Sequence, residues 1–211
     1  MTAPFKTLMK FAFAGITAAA LFSAPVQASE TSDLLASANG TVNDLRHDAA
    51  FATAAKMIDT ARAVYIVPHL VKGGFIFGAE GGDGVLLVRN GKNWSAPKFY
   101  SMGSASFGLQ AGLETAKLVF IINSEAALRG IEKGNVKLGA GAGLTVVTLS
   151  SGAEGATTSH GGDIVVWTSG TGAYAGLTFN GSVIKARDSW NAQPSNGAEA
   201  QALRRNIATI H

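Results

Sequence analysis

Apolar and polar positions follow two different periods along this chain. Val42, Leu45, Ala49, Ala52 and Ile58 recur at near-helical spacing. With Thr41 in the N-cap position and Asp44 in the first turn, they predict a helix over 42–61. The opposite face carries Arg46, His47, Lys56 and Asp59, a mixture that reads first as a solvated surface. The preceding "SETSDLLASANG" is a polar lead-in of partly helical character.

After Arg62 the period shortens. "AVYIVPHL", "GGFIFGAE" and "GVLLVRN" are branched or aromatic runs bounded by glycine and proline, as strands are. Asn90-Gly91 and Asn180-Gly181 each sit between two such runs and predict antiparallel hairpins. "ASFGLQAG" and "TAKLVFIIN" continue the strands. "SEAALRGIEKG" breaks them with a short helix capped by Ser124, with Glu125 in its first turn, Lys133 in its last and Gly134 as terminator. "NVKLGAGAGLTVVTL" and "DIVVWTS" are strands flanking a flexible "SSGAEGATTSHGG". In the tail, Ala200, Leu203, Ile207 and Ile210 have the spacing of a small helix, and a frayed terminus fits the same residues. The fold class expected is α+β: a curved, largely antiparallel β-sheet or partial barrel with an N-terminal helix and short additional helices. Glycine inside the strand-like runs points to bulges and close backbone packing.

Composition adds a compartment. Residues 1–28 combine two lysines, the apolar run "FAFAGITAAALF" and small or apolar residues at Val26 and Ala28, the pattern of a secretory signal peptide cut after Ala28. The run is short for a membrane span. No cysteine occurs anywhere, so disulfides and a lipidated cysteine are excluded and an exported, periplasmic protein is expected. Loss of Lys6 and Lys10 with the leader leaves 15 basic against 14 acidic side chains. So small a net charge argues against nucleic acid as partner, and an anionic partner has to meet a local patch. About 180 mature residues form one core.

The motifs narrow the chemistry further. "KGGFIFGAEGGDGVLLVR", residues 72–89, is rich in glycine, but a phosphate loop needs Lys and Ser or Thr after its two spaced glycines and here Lys72 precedes them, so the pattern fails. "GAEGGDG" and "GAGAG" lack the strand-turn-helix context of a dinucleotide fingerprint. The histidines, at 47, 69, 160 and 211, have no metal-ligand spacing, there is no GxSxG serine, and Glu80 and Asp83 are placed to meet across a turn rather than to act as an acid-base pair. No cofactor and no catalytic residue is expected. What remains is a basic and aromatic set: Arg62, Lys72, Arg89, Lys92, Trp94 and Lys98. Cations beside aromatics suit anionic headgroups at a membrane surface. Equally, Trp94 and Phe99 suit a core with cations that only solubilise it, and the residues alone leave the two readings open.

The order of the motifs resembles the SYLF domain, a lipid-binding family. The carriers are the alanine-rich segment ending near Pro68, K-x-G-F at Lys72 to Phe75, G-x-G-V at Gly82 to Val85, W-S-A-P at Trp94 to Pro97, Gly108-Leu109-Gln110-Ala111-Gly112, the strand into Asn123-Ser124, and "AYAGLTFNGSVIKARDSWNAQ". The resemblance covers 42–193, leaving 29–41 as lead-in and 194–211 as tail. It implies binding of phosphoinositides or other anionic phospholipids by basic residues near the N-terminal helix; in eukaryotic relatives the domain is joined to modules acting in actin and membrane traffic. Arg46, Lys56, Arg62 and Lys72 are the positions here that match this role, Lys72 best. The expectation is therefore a non-catalytic exported protein that binds anionic phospholipid through Lys72, Arg62, Lys56, Arg46, Arg89, Lys92, Lys98 and Trp94. The alternative is an envelope structural protein that binds another protein or itself.

Overall fold

A computed structural model describes residues 24–74, 77–107, 112–138, 144–149, 162–169 and 181–210. Helix α1 runs unbroken from Ala24 to Arg46 and α2 from Phe51 to Thr60. The helix expected over 42–61 is thus two helices, and the polar lead-in belongs to the first. Asp48 makes the break: its carboxylate accepts from the Ala50 amide at 2.8 Å and its carbonyl from the Phe51 amide at 3.0 Å, so the chain turns locally instead of propagating. Val42, Leu45 and Ile58 are buried as the spacing requires, whereas Ala49 and Ala52 are exposed. Thr41 is not a cap. It lies inside α1, fully buried, and its hydroxyl donates to the Ser37 carbonyl at 3.1 Å.

Among the described residues nine strands follow: β1 (Ala63–Gly74), β2 (Phe77–Asn90), β3 (Asn93–Trp94), β4 (Lys98–Phe107), β5 (Gly112–Ile122), β6 (Asn135–Lys137), β7 (Val146–Leu149), β8 (Ile164–Ser169) and β9 (Val183–Ala186). They make one curled sheet in the order β6-β9-β4-β2-β1-β5-β8-β7, with β3 paired to β2 off that path. All pairs are antiparallel except β7 with β8. Helix α3 (Glu125–Glu132) follows β5, capped by the Ser124 hydroxyl on the Ala127 amide at 3.1 Å and ended by Gly134 at φ 72°. Helix α4 (Ala198–Ala208) closes the chain; its buried Ala200, Leu203 and Ile207, with Ile210 beyond, make it a packed element rather than a frayed end.

The glycine-rich stretch is a long hairpin, β1 and β2, with Gly74 opposite Gly78. Its register slips around Pro68, between Ile66 and Val71 on one side and Val67 and Leu70 on the other. Proline has no amide to give the ladder, which is why the strand bulges there. The Asn90-Gly91 hairpin forms, with Asn90 opposite Asn93 and Gly91 at φ 61°. At the second hairpin Gly181 has φ 88° and its amide donates to the Leu138 carbonyl at 3.1 Å; "AYAGLTF" and most of "SSGAEGATTSHGG" lie outside the described residues. Glu80 and Asp83 do not meet across a turn. Both are on β2, where Glu80 accepts from the Ser104 hydroxyl and Asp83 from the Ser101 hydroxyl, each at 2.6 Å.

Runs such as "AVYIV", "KLVFII" and "IVVW" do not alternate because both faces of the sheet are covered. Val64, Ile66, Val119, Ile121, Val165 and Trp167 pack with α1, α2 and α4, while Tyr65, Val67, Leu118, Phe120 and Val166 pack with α3 on the other face. Among the described residues no helix is long and apolar enough to cross a membrane.

One junction ties α3, β7 and β8 through a single carboxylate. Asp163 accepts from the Ser124 hydroxyl and from the Thr145 amide at 2.8 Å, and these bonds hold its carboxyl below the usual value of 3.8. Because the folded pKa is the lower one, this contribution is complete above the unfolded pKa and is lost as pH falls through the folded one. Urea unfolding followed between pH 7 and pH 3 should show Asp163→Asn less stable than the wild type at neutral pH and less sensitive to acid below about pH 4.

Candidate functional site

The start of β1, the end of β2 and the short β3 converge at one end of the sheet. The Arg62 carbonyl accepts from the Arg89 amide at 2.8 Å, and Arg89 in turn lies opposite Trp94. Helix α4 is seated on this corner: the Arg204 Nε donates to the Trp94 carbonyl at 2.9 Å. Between them is an open pocket of roughly 320 Å³ lined by Asn93, Trp94, Asn196, Gln201, Arg204 and Arg205. Its lining holds two guanidinium groups and three carboxamides and no carboxylate. Lys92, exposed in the adjoining turn, adds a third cation. Such a rim of donors accepts anions and repels cations. Arg204 is the better organised of the two arginines, since its Nε is already engaged and its terminal nitrogens keep their fork.

The residues expected from sequence are divided by the structure. Arg62 and Lys92 are exposed at this corner and Lys56 is exposed on α2. Arg89 has turned inward: it donates to the Ile58 carbonyl at 2.5 Å and to the Ala61 carbonyl at 3.0 Å, closing the C-terminal end of α2, and its guanidinium lies 4.3 Å from the centre of the Trp94 ring. Trp94, 3% exposed, is the floor of the corner. Arg46 is a staple between α1 and α4, donating to the Asn206 carbonyl at 2.7 Å, its side-chain oxygen at 3.0 Å and the Thr209 hydroxyl at 2.8 Å. Lys98 lies 3.9 Å from Glu132, a solvated pair of little energetic weight.

Lys72 stands apart. It lies on β1 opposite Glu80 of β2 and Glu114 of β5, ten residues and roughly 30 Å of strand from Arg62. One headgroup does not span that distance. Arg204 and Arg205 line the pocket but stand outside the basic set that the sequence singles out; two adjacent arginines in a segment with helical apolar spacing are their signal, and a frayed terminus fits the same spacing.

The inward turn of Arg89 has a measurable consequence. Arg89→Ala should destabilise the fold by about 2 kcal/mol or more through two lost charge-assisted bonds to α2, read in a urea melt. Among the described residues no group of His, Asp and Glu is placed to hold a metal ion.

The fold and this corner define a class: an α+β domain built on one curled sheet, offering a basic, amide-rich surface pocket. Residues 103–203 match the family described as "Ysc84: Las17-binding protein actin regulator". The chain is 33% identical over 136 residues to "Protein YSC84" of Saccharomyces cerevisiae, covering 62% of this chain and 29% of that protein. It is 31% identical over 123 residues to "LAS seventeen-binding protein 3" of the same yeast, covering 56% and 27%. Against "SH3 domain-containing YSC84-like protein 1" of Xenopus laevis it is 33% identical over 128 residues, covering 59% and 38%. The matched stretch is thus well under half the length of these relatives. No solved structure matches. The chain carries a domain of the Ysc84 (SYLF) family.

Proposed function

We propose that the protein binds the headgroups of anionic phospholipids, without catalysing a reaction, through Lys92, Arg204 and Arg205 with Arg62 beside them. The observation that carries this reading is the pocket lined by arginines and carboxamides with no carboxylate among them. Each cation near an anionic surface contributes about 1 kcal/mol, so four together give reversible, salt-sensitive attachment. The same proposal places the protein in the periplasm as a peripheral membrane protein, on the strength of the leader-like residues 1–28 and the absence of cysteine. Sedimentation with phosphatidylcholine vesicles containing graded phosphatidylglycerol tests it. Binding should rise with anionic content and fall with salt; binding that ignores both, or none at all, overturns it.

A second reading, a protein partner, is favoured by the relatives' names, which call one of them a LAS seventeen-binding protein and another SH3 domain-containing. It predicts association that requires no lipid.

A further inference from the structure

Further along the β1–β2 hairpin the described residues gather carboxylates instead of cations. There the N-terminal half of α1 crosses the outer parts of β1 and β2, and an open groove of roughly 530 Å³ lies between them. Glu30, Asp33 and Leu34 form its helical wall, Val71 and Asp83 its sheet wall, and Trp190 its end. Val71, 41% exposed, is the large hydrophobic side chain left open to solvent among the described residues. The cation of the groove, Arg187, is already engaged: its guanidinium lies 4.0 Å from the centre of the Trp190 ring and its Nε 3.8 Å from Asp83. Glu30 and Asp33 make no ion pair or side-chain hydrogen bond among the described residues, and His69 is the remaining titratable group at the rim.

Acidic heads around an apolar floor suit arginine and lysine side chains, whose stems lie on apolar surface while the charged ends reach carboxylates. This chain displays such side chains at Lys92, Arg204 and Arg205. The two patches do not meet within one molecule: Gly81 at the groove and Arg89 beside the basic pocket are eight residues apart on β2, roughly 25 Å. Between molecules they are complementary, and a formal net charge of +3 over 211 residues opposes association little.

We propose that the acidic groove receives the Lys92–Arg205 corner of a second copy, in a head-to-tail contact. Two unlike patches give a heterologous interface, which extends into chains of molecules unless the rotation closes a ring. The cations that bind lipid are the same ones, so anionic vesicles and the second copy compete for them.

Sedimentation velocity of the purified protein at low and high salt tests this, using two charge-reversed variants whose folding is checked by circular dichroism. Glu30→Lys/Asp33→Lys loses the groove and keeps the basic corner; Lys92→Glu/Arg205→Glu does the reverse. The wild type should show faster-sedimenting species at low salt that disappear at high salt, and each variant alone should remain a monomer. An equimolar mixture of the two should restore association, because the intact corner of one meets the intact groove of the other and the exchanged charges of the remaining two faces are again opposite. A wild type that stays monomeric, or variants that associate as it does, overturns the proposal. The groove variant should still bind anionic vesicles, so failure here and failure of the lipid reading are told apart.

Discussion

Replacing Lys92 and Arg205 by glutamate should weaken binding to anionic vesicles by about 30- to 1000-fold, corresponding to about 2–4 kcal/mol. Two attractive charges, each worth about 1 kcal/mol at such a surface, are removed and two repulsive ones take their place. Both side chains are exposed, so folding should be unaffected. Arg204 is left in place because its Nε holds the Trp94 carbonyl and its loss would mix binding with stability. Lys72→Glu is the informative companion. It lies roughly 30 Å along β1 from the basic corner, several screening lengths at physiological salt, and should leave affinity within about twofold. Titration of each variant with phosphatidylglycerol vesicles reads both outcomes.

Gly84→Val should be about 4 kcal/mol or more less stable than the wild type, enough to leave much of the protein unfolded or insoluble. A Cβ at this position would lie 2.6 Å from a carbon of the Tyr65 ring and 2.7 Å from the Ile66 carbonyl oxygen. Neither can withdraw. Tyr65 is fully buried, with its hydroxyl on the Tyr100 carbonyl at 3.3 Å and its ring against Tyr100 and Phe120, and Ile66 belongs to the ladder with β5. Gly40 makes the contrast: it lies in α1, nothing is within 4 Å of a Cβ placed there, and Gly40→Ala should add about 0.5–1 kcal/mol by favouring helix. Denaturant melts of the two variants should move in opposite directions.

The sequence made the local elements legible wherever one short-range signal decided them. Ser124 and Gly134 bracket α3, Asn90-Gly91 turns the chain between β2 and β3, and the β1–β2 hairpin takes the glycine-rich stretch out of phosphate chemistry. Where the outcome depended on distant partners, the pattern was ambiguous. The apolar spacing from Val42 to Ile58 continues across Asp48, and only the Asp48 carboxylate turning onto Ala50 divides it. For the candidate site the difficulty is sharper, because a cation's role depends on what lies next to it. Arg46, Arg89 and Lys92 look alike in a list of basic residues, yet the first ties α1 to α4, the second caps α2, and the third faces water. Arg204 and Arg205 lie more than a hundred residues from Trp94, and only the docking of α4 joins them to it.

In the proposed binding mode the Lys92–Arg205 corner faces the bilayer. Because the chain has no cysteine, a cysteine introduced at one position carries a fluorophore at that position alone. Ala208→Cys places an environment-sensitive probe in the lining of the basic pocket, and Val71→Cys places it at the far groove. On addition of anionic vesicles the Ala208 probe should shift to the blue and brighten while the Val71 probe stays unchanged. A response at Val71 with none at Ala208 would overturn this placement and turn the molecule round on the membrane.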